Sequence, residues 1–361
     1  MRANRTRLWR RAARVAIALL LGVATLEASL RIVAATSSGR FASLLRQWDP
    51  EATLDLLGDA CFRPWPGMVV PFHNGTRSHV NAMGFRGPPV AVPKPPGTYR
   101  VVLLGGSTSH GCLVNDDETI DAHLRRALHV PGRPRVEVVN LGFDALDAIC
   151  EQERLAAEGV ALEPDAVIVH TGINDTSALR FPDLARNAPE RGIRPMVRTS
   201  QELLRHERGA WRAAKHLLFT ARLPGVLRNL RLHAQPLPGP PEPEPRALDA
   251  FERTVRGTIA LSPPDTVVLL STPPSGLRAP GVPFSGQPIV DRETSQRYRD
   301  RLDERLRRVA DDAHSTGRDV RYVPHEVPDQ VFIDDCHLDG EGNRLVADGF
   351  ARALADAPHA R

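Results

Sequence analysis

From Arg100 onward, short apolar runs alternate with longer stretches whose apolar residues recur every three or four positions. No other feature of the sequence limits the fold as strongly. RVVLLG (100–105) reads as a buried strand, and DETIDAHLRRALH (117–129) follows with Ile120, Leu124 and Leu128 at helical spacing. A second strand, RVEVVNLG (135–142), a second helix, LDAICEQERLAAEG (146–159), and a third strand, PDAVIVHTG (164–172), continue the pattern. It resumes with a helix near 247–261, the strand TVVLLST (266–272), a long charged helix over about 292–316 and the strand DVRYVP (319–324). A last helix, from about Asp339, carries Leu345, Val346, Phe350 and Leu354. A strand that is apolar throughout must be buried on both faces, and amphipathic helices are what can cover it. The expected fold is therefore α/β, a three-layer α/β/α sandwich around a mostly parallel five-stranded sheet.

Two stretches stand outside this rhythm. Residues 36–98 are polar and rich in Gly and Pro, with apolar residues at no sustained period, and read as an irregular N-terminal extension that wraps the domain. Residues from about Arg180 to Pro245 interrupt the alternation as an insertion. In it, Thr199 and Glu202 form a capping-box pattern ahead of a helical stretch, and PLPGPPEPEP (236–245) reads as an extended polyproline linker. The expected organisation is thus 1–35, 36–98 and 99–361, the last holding the insertion at about 180–245.

The first of these segments is a targeting signal in composition. Arg2, Arg5, Arg7, Arg10, Arg11 and Arg14 are unaccompanied by any acid, and an uncharged apolar run follows from Val15 to Leu26. A basic head before a short apolar run is the pattern of a secretory signal. That run falls short of the ~20 residues that span a bilayer, but Glu27 and Arg31 stand four apart and can pair on one helix face, extending a span to about Ala35. A cleaved signal and a retained inner-membrane anchor over residues 15–35 both fit, and both place the rest of the chain on the periplasmic or extracellular side. Taking the six arginines out of the net charge of +4 leaves the remainder at −2, which removes the electrostatic case for nucleic acid. Four cysteines, Cys61, Cys112, Cys150 and Cys336, are compatible with an oxidising compartment and allow three pairings.

Open parallel sheets bind ligands at the carboxyl ends of their strands. GGSTSHG (105–111), NLGFDALD (140–147) and HTGINDT (170–176) follow the first three strands, and DDCHLDGEGN (334–343) precedes the last helix, so four polar loops converge on one rim. Ser107 is the candidate nucleophile: Gly105 and Gly106 permit a tight turn, and the adjoining helix N-terminus favours developing negative charge. Serines after strands also serve as helix caps, and Ser109 breaks the G-x-S-x-G elbow, so this block is weak alone. His337 supplies a general base, and Asp334, three residues earlier, can reach its Nδ1. A D-x-x-H pair can also be half a metal site, but no second histidine follows at ligand spacing, and no metal is expected. His110 and His170 are rival bases, the first on the nucleophile's own turn and the second ending a buried strand; both are expected to be structural or peripheral. An oxyanion needs donors, and the Asn174 amide, the Ser107 N–H and an N–H of the loop after Asn140 are the candidates.

These blocks resemble those of the GDSL or SGNH hydrolases, named for motifs carrying Ser, Gly, Asn and His. GGSTSHG looks like the serine block, with Gly106 where the name-giving variant has Asp. GIND, with Gly172, Asn174 and Asp175, is similar to the G-x-N-D block, and DDCH matches D-x-x-H. The glycine block of the family reads roughly N-x-G-x-x-G; here it holds Asn140, Gly142 and Ala145, so alanine takes the place expected of the oxyanion glycine. The resemblance covers about 80–356, including the lead-in NAMGFRG (81–87), and does not explain the insertion. It implies the flavodoxin-like SGNH fold, a catalytic Ser107, Asp334 and His337, and an oxyanion hole of Ser107 N–H, Ala145 N–H and Asn174. Gly106, Gly142, Gly172 and Asp175 take supporting roles.

The reaction so implied is cleavage of an acyl ester, on a glycan, a lipid or a small molecule, with no cofactor. Two rivals share the fold. One is an O-acyltransferase acting on a cell-envelope or exported polysaccharide, with a sugar hydroxyl in place of water. The other is a non-catalytic binding module, for which Ala145 is the sequence support. Cys112 and Cys336 flank the serine and histidine blocks, and if those loops meet, a disulfide between the two would staple nucleophile to base.

Overall fold

The computed structural model describes residues 2–36, 54–57, 61–72, 74–130, 134–176, 242–243, 245–279, 281–282 and 292–355. The insertion expected at about 180–245, with its capping box at Thr199 and Glu202 and most of its linker, lies outside the described residues, as does the start of the extension. The chain opens with helix α1 (Arg2–Thr36), whose segment Ala13–Leu30 is long and apolar enough to cross a membrane, with a mean hydropathy of 1.7. In the extension, which reads as irregular in sequence, β1 (Leu54–Leu57) pairs antiparallel with β2 (Cys61–Pro64), and β3 (Val69–Pro71) with β4 (Arg77–His79). Strands of three or four residues are too short for a period to register.

The main sheet consists of β5 (Thr98–Gly105), β6 (Arg135–Asn140), β7 (Ala166–His170), β8 (Val267–Ser271) and β9 (Val320–Tyr322), in the order β6-β5-β7-β8-β9 with every pairing parallel. This is the 2-1-3-4-5 order of flavodoxin-like folds. Helices α2 (Ser107–His110), α3 (Ile120–Leu128), α4 (Ala148–Arg154), α5 (Pro245–Leu261), α6 (Arg292–Ser315) and α7 (Gly340–Ala355) connect and cover the strands. Alternation along each strand sends Val101, Leu103, Val138, Ile168 and Leu269 into a core shared with Ile120 and Leu124 of α3 and Val346 and Phe350 of α7. Val102, Leu104, Val139, Val167 and Leu270 enter a second core with Phe251 and Val255 of α5 and Leu302 and Leu306 of α6. The continuously apolar strands are thus two faces read together. Each fully buried leucine contributes about 1.5–3 kcal/mol, and truncating Leu103 or Leu104 to alanine costs about 2–5 kcal/mol through the cavity left behind.

Local signals explain most helix limits. α3 begins where Thr119 Oγ1 accepts the Ala122 N–H at 3.3 Å, and α4 where Asp147 Oδ1 accepts the Cys150 N–H at 3.1 Å. The helix expected over 146–159 departs from this: α4 stops at Arg154 and the chain widens into a π turn, Leu155–Gly159, and a 3₁₀ turn, Val160–Leu162. The transition falls at a buried guanidinium that donates to the Leu141 and Gly84 carbonyls and pairs with Glu158.

A disulfide and a buried arginine are among the ties that hold the extension to the rest of the domain. Cys61 is disulfide-bonded to Cys150 of α4, with the Cα atoms 5.3 Å apart. Arg86, buried, donates to the carbonyls of His110, Gly111 and Val114 and pairs with Asp116 at 2.8 Å. The connections leave β5 and β7 towards opposite sides, and that switch point opens a crevice beyond Gly105 and His170, the last residues of these strands.

Candidate active site

Gly106 links β5 to the one-turn helix α2, whose first residue is Ser107. Asp334 and His337 lie in the loop before α7. His337 Nε2 is 2.9 Å from Ser107 Oγ, and His337 Nδ1 is 2.9 and 3.0 Å from the two oxygens of Asp334. Asp334 Oδ1 also accepts the backbone N–H groups of Cys336 and His337, at 3.0 and 2.8 Å. A carboxylate on Nδ1 fixes that nitrogen as the donor and leaves Nε2 facing the hydroxyl.

The electrostatics follow from these contacts. Burial works against the charged form of Asp334, but the hydrogen bonds from His337 and the two backbone N–H groups outweigh it and hold the carboxyl at about 2. Burial likewise opposes a charge on His337, yet the adjacent Cys336 sulfur and the Asp334 hydrogen bond raise the imidazole well above the usual histidine range. Asp334 is the partner that matters at neutral pH, because burial pushes the Cys112 and Cys336 thiols up and keeps them protonated.

Asn174 closes the β7 side. Its Nδ2 donates one proton to the Leu146 carbonyl at 2.7 Å; the other remains for a ligand in the cavity that Asn174 lines with Ser107 and Ala145. Gly106 presses against this amide: a Cβ there would stand 2.5 Å from Asn174 Nδ2 and 3.2 Å from the Leu146 oxygen, so no larger residue fits unless Asn174 moves. Ala145 adopts φ 62°, the left-handed conformation that glycine takes freely and alanine reaches at a cost of about 1–2 kcal/mol. Gly142 donates its N–H to Asn140 Oδ1 at 2.9 Å, and Asn140 Nδ2 donates to the Ser109 carbonyl at 2.7 Å, which ties this loop to α2. Gly172 follows β7, and Asp175 accepts the Ala148 N–H at the start of α4 at 3.2 Å.

Ser107, Ala145, Asn174, Asp334 and His337 face one cavity of about 370 Å³. Its walls include residues that the sequence did not single out: Phe72 from the extension, Leu113, Ile173 and Leu277, and the polar Asp144, Asp335 and Arg299. Asp144 had one available signal, its place beside Ala145 in the glycine block; Phe72 had none. The rival bases do not reach Ser107. His110 is buried between Asp144 Oδ1 at 2.7 Å and Ser78 Oγ at 2.9 Å. His170 is buried behind the site against Ser271, His325 and Phe350, and burial followed by the nearby His325 holds it well below the usual histidine range.

The pairing of Cys112 with Cys336 is not found. Both are buried free thiols, the Cys112 sulfur turned to Asp144 at 2.7 Å and the Cys336 sulfur to His337 at 3.5 Å, while the bridge joins Cys61 to Cys150. Two sets, His110 with Cys112 and Asp144, and Asp334 with Cys336 and His337, combine donor types that can bind a metal. Within the two sets the closest pairs, His110 with Asp144 and His337 with Asp334, are hydrogen-bonded at 2.7 and 2.9 Å.

Comparison with known proteins bears on this arrangement. Residues 103–345 match the GDSL-like Lipase/Acylhydrolase family. Among solved structures, a catalytic variant of Axe2, an acetylxylan esterase from Geobacillus stearothermophilus, is similar at 16% identity, covering 71% of this chain and 94% of its own, with a TM-score of 0.41. LAE5, an alpha/beta hydrolase from the metagenome of Lake Arreo in Spain, is similar at 18% identity, covering 71% and 95%, with a TM-score of 0.39. No curated protein matches. The family match spans two thirds of the chain, from within β5 into α7 and through every block of the site, and on that ground the chain belongs to the GDSL-like lipase/acylhydrolase family and is an esterase.

Proposed function

We propose that the chain is an exported serine esterase whose triad is Ser107, His337 and Asp334. The observation that carries this reading is the unbroken line from Asp334 through His337 to Ser107 Oγ, each contact at 2.9 Å, at the sheet's switch point. Ser107 attacks the acyl carbonyl while His337 Nε2 takes its proton and Asp334 stabilises the imidazolium. The N–H groups of Ser107 and Ala145 and the Asn174 amide hold the oxyanion. His337 then protonates the leaving alcohol, and a water that it activates releases the acid and frees Ser107.

A cavity of about 370 Å³ suits a short acyl group with a small alcohol or one sugar ring, and mixed apolar and polar walls fit an O-acylated glycan or small ester. The basic head and the apolar segment Ala13–Leu30 support export, with α1 either cleaved or kept as an anchor. The Cys61–Cys150 bridge belongs to an oxidising compartment and supports the same placement. In domain terms, 99–361 would form the catalytic unit, with the described part of 36–98 tied to it through Cys61–Cys150 and Arg86.

The test is labelling of the full-length protein with an active-site phosphonate. Wild type should be modified at Ser107, and Ser107→Ala and His337→Ala should abolish the label. Absence of labelling under conditions in which a known serine esterase reacts would sink the triad and favour a binding module.

A further inference from the structure

Asp144 fills an unspecified position of the glycine block, yet it stands immediately before Ala145 and anchors a second hydrogen-bonded line. Its Oδ1 accepts from His110 Nδ1 at 2.7 Å and from Cys112 Sγ at 2.7 Å, and His110 Nε2 lies 2.9 Å from Ser78 Oγ. Ser78 and His110 are 0% and 1% exposed, so this serine is sealed from substrate and the line is not a second nucleophilic site. It joins three separate segments: strand β4 of the extension, the last residue of α2, and the loop after β6.

His110 is itself held on every side. Its ring packs on Phe143, with centroids 4.9 Å apart, and Arg86 donates to the His110 carbonyl at 2.8 Å and the Gly111 carbonyl at 2.5 Å. What it holds in turn is Asp144, the neighbour of a residue under strain. Ala145 sits at φ 62°, and an alanine released from its neighbours relaxes towards negative φ, which would rotate its N–H away.

We infer that His110, steadied by Ser78, is a positioning residue that clamps Asp144 and so keeps Ala145 in the left-handed conformation that gives its N–H to the oxyanion. The inference rests on the esterase mechanism above. It makes the N-terminal hairpin a working part of the site rather than a wrapping, and it accounts for an alanine where the family pattern has glycine: the clamp supplies the conformation that glycine would take unaided.

The experiment uses full-length protein and two readouts. In the first, His110→Ala lowers kcat on 4-nitrophenyl acetate by about a hundredfold with KM nearly unchanged, the loss expected for one oxyanion donor. His110→Asn, whose amide can still donate to Asp144, retains most of the rate. Adding Ala145→Gly to His110→Ala restores kcat, because glycine needs no clamp. Ser78→Ala, a gentler change, slows turnover less and is restored by the same glycine. Full activity in His110→Ala, or a loss that glycine at 145 does not restore, overturns the proposal.

The second readout is the Ala145 amide resonance in protein labelled with 15N-alanine, identified by its absence in Ala145→Gly. It should move in His110→Ala and in Ser78→Ala and stay in His110→Asn; an unmoved resonance in His110→Ala overturns the clamp. Wild type that neither hydrolyses esters nor reacts with a phosphonate would sink the esterase mechanism alone, and the resonance would still decide the clamp.

Discussion

Gly106→Ala tests whether the oxyanion site is assembled as its contacts imply. The glycine has φ −83°, outside the left-handed region, and the change adds one methyl facing Asn174. That methyl would stand 2.5 Å from Asn174 Nδ2, and van der Waals contact is reached only when the amide retreats by about 1 Å. The retreat breaks the 2.7 Å hydrogen bond to the Leu146 carbonyl and withdraws the donor from the cavity. Loss of one oxyanion donor costs about 2.7–4 kcal/mol, so kcat/KM on 4-nitrophenyl acetate should fall at least about a hundredfold, with the protein still folded. Asn174→Ala should cost a similar factor by itself. It also removes the atoms that the methyl strikes, so in the Asn174→Ala background the Gly106→Ala change should cost only a few-fold, the remainder coming from the Leu146 oxygen at 3.2 Å. Steady-state kinetics of the four proteins close the cycle. Wild-type rates in Gly106→Ala, or two penalties that multiply in the double variant, would refute the reasoning.

Two further outcomes follow from the same contacts. Because the adjacent Cys336 sulfur and the Asp334 hydrogen bond raise His337 above the usual histidine range, the free base accumulates only as the pH passes that raised value; the acid limb of kcat/KM should lie above pH 6.5, and Asp334→Asn should move it to lower pH while cutting the plateau by about 10⁴-fold. A wild-type limb at or below 6.5 contradicts this. Replacing Cys61 and Cys150 together by serine opens a loop with a sequence separation of 89 and should lower unfolding free energy by about 2–5 kcal/mol, read as a lower urea midpoint, and an unchanged midpoint would show that the bridge holds nothing.

The sheet was legible because its strands carry one unambiguous signal. Val101 to Leu104 and Val167 to Val169 are apolar at every position, which only a doubly covered parallel strand requires, and the helices between them keep their period. That Ser107, Asn174, Asp334 and His337 would meet at one cavity was legible because each lies in a short block at a strand or helix end, where local sequence and chemistry coincide. The hairpins of the extension were not, since strands of three or four residues owe their pairing to partners rather than to pattern. Cysteine pairing was not either: Cys61 and Cys150 meet only because α4 packs against the extension, while Cys112 and Cys336, next to the two catalytic blocks, turn their sulfurs to Asp144 and His337 instead. Phe72 reaches the cavity by the same long-range folding and left no trace in its own neighbourhood.

The charges around the cavity bear on what it can take. Asp144, Asp334 and Asp335 line it with Arg299, whose guanidinium lies 3.5 Å from Asp335. If His337 is the base proposed above, it must be neutral for attack, and in that form Asp334 has no cation beside it. Arg299 offsets one of the three carboxylates, so the lining of the competent site is negative. On the proposed mechanism an oxyanion developing there gains nothing from net charge, and its stabilisation would fall on the dipolar donors of Ser107, Ala145 and Asn174. An anionic acyl group meets the same field: one charge about 5 Å away costs roughly 1 kcal/mol in water and about 3 kcal/mol at an effective dielectric of 20. Relative to its uncatalysed hydrolysis, a hemisuccinate ester should therefore be cleaved about five- to a hundredfold less efficiently than the acetate of the same alcohol, and added salt should narrow the gap. Equal or better cleavage of the anionic ester would mean that Arg299 is free to receive a carboxylate, and the pairing with Asp335 would then be the contact that substrate displaces.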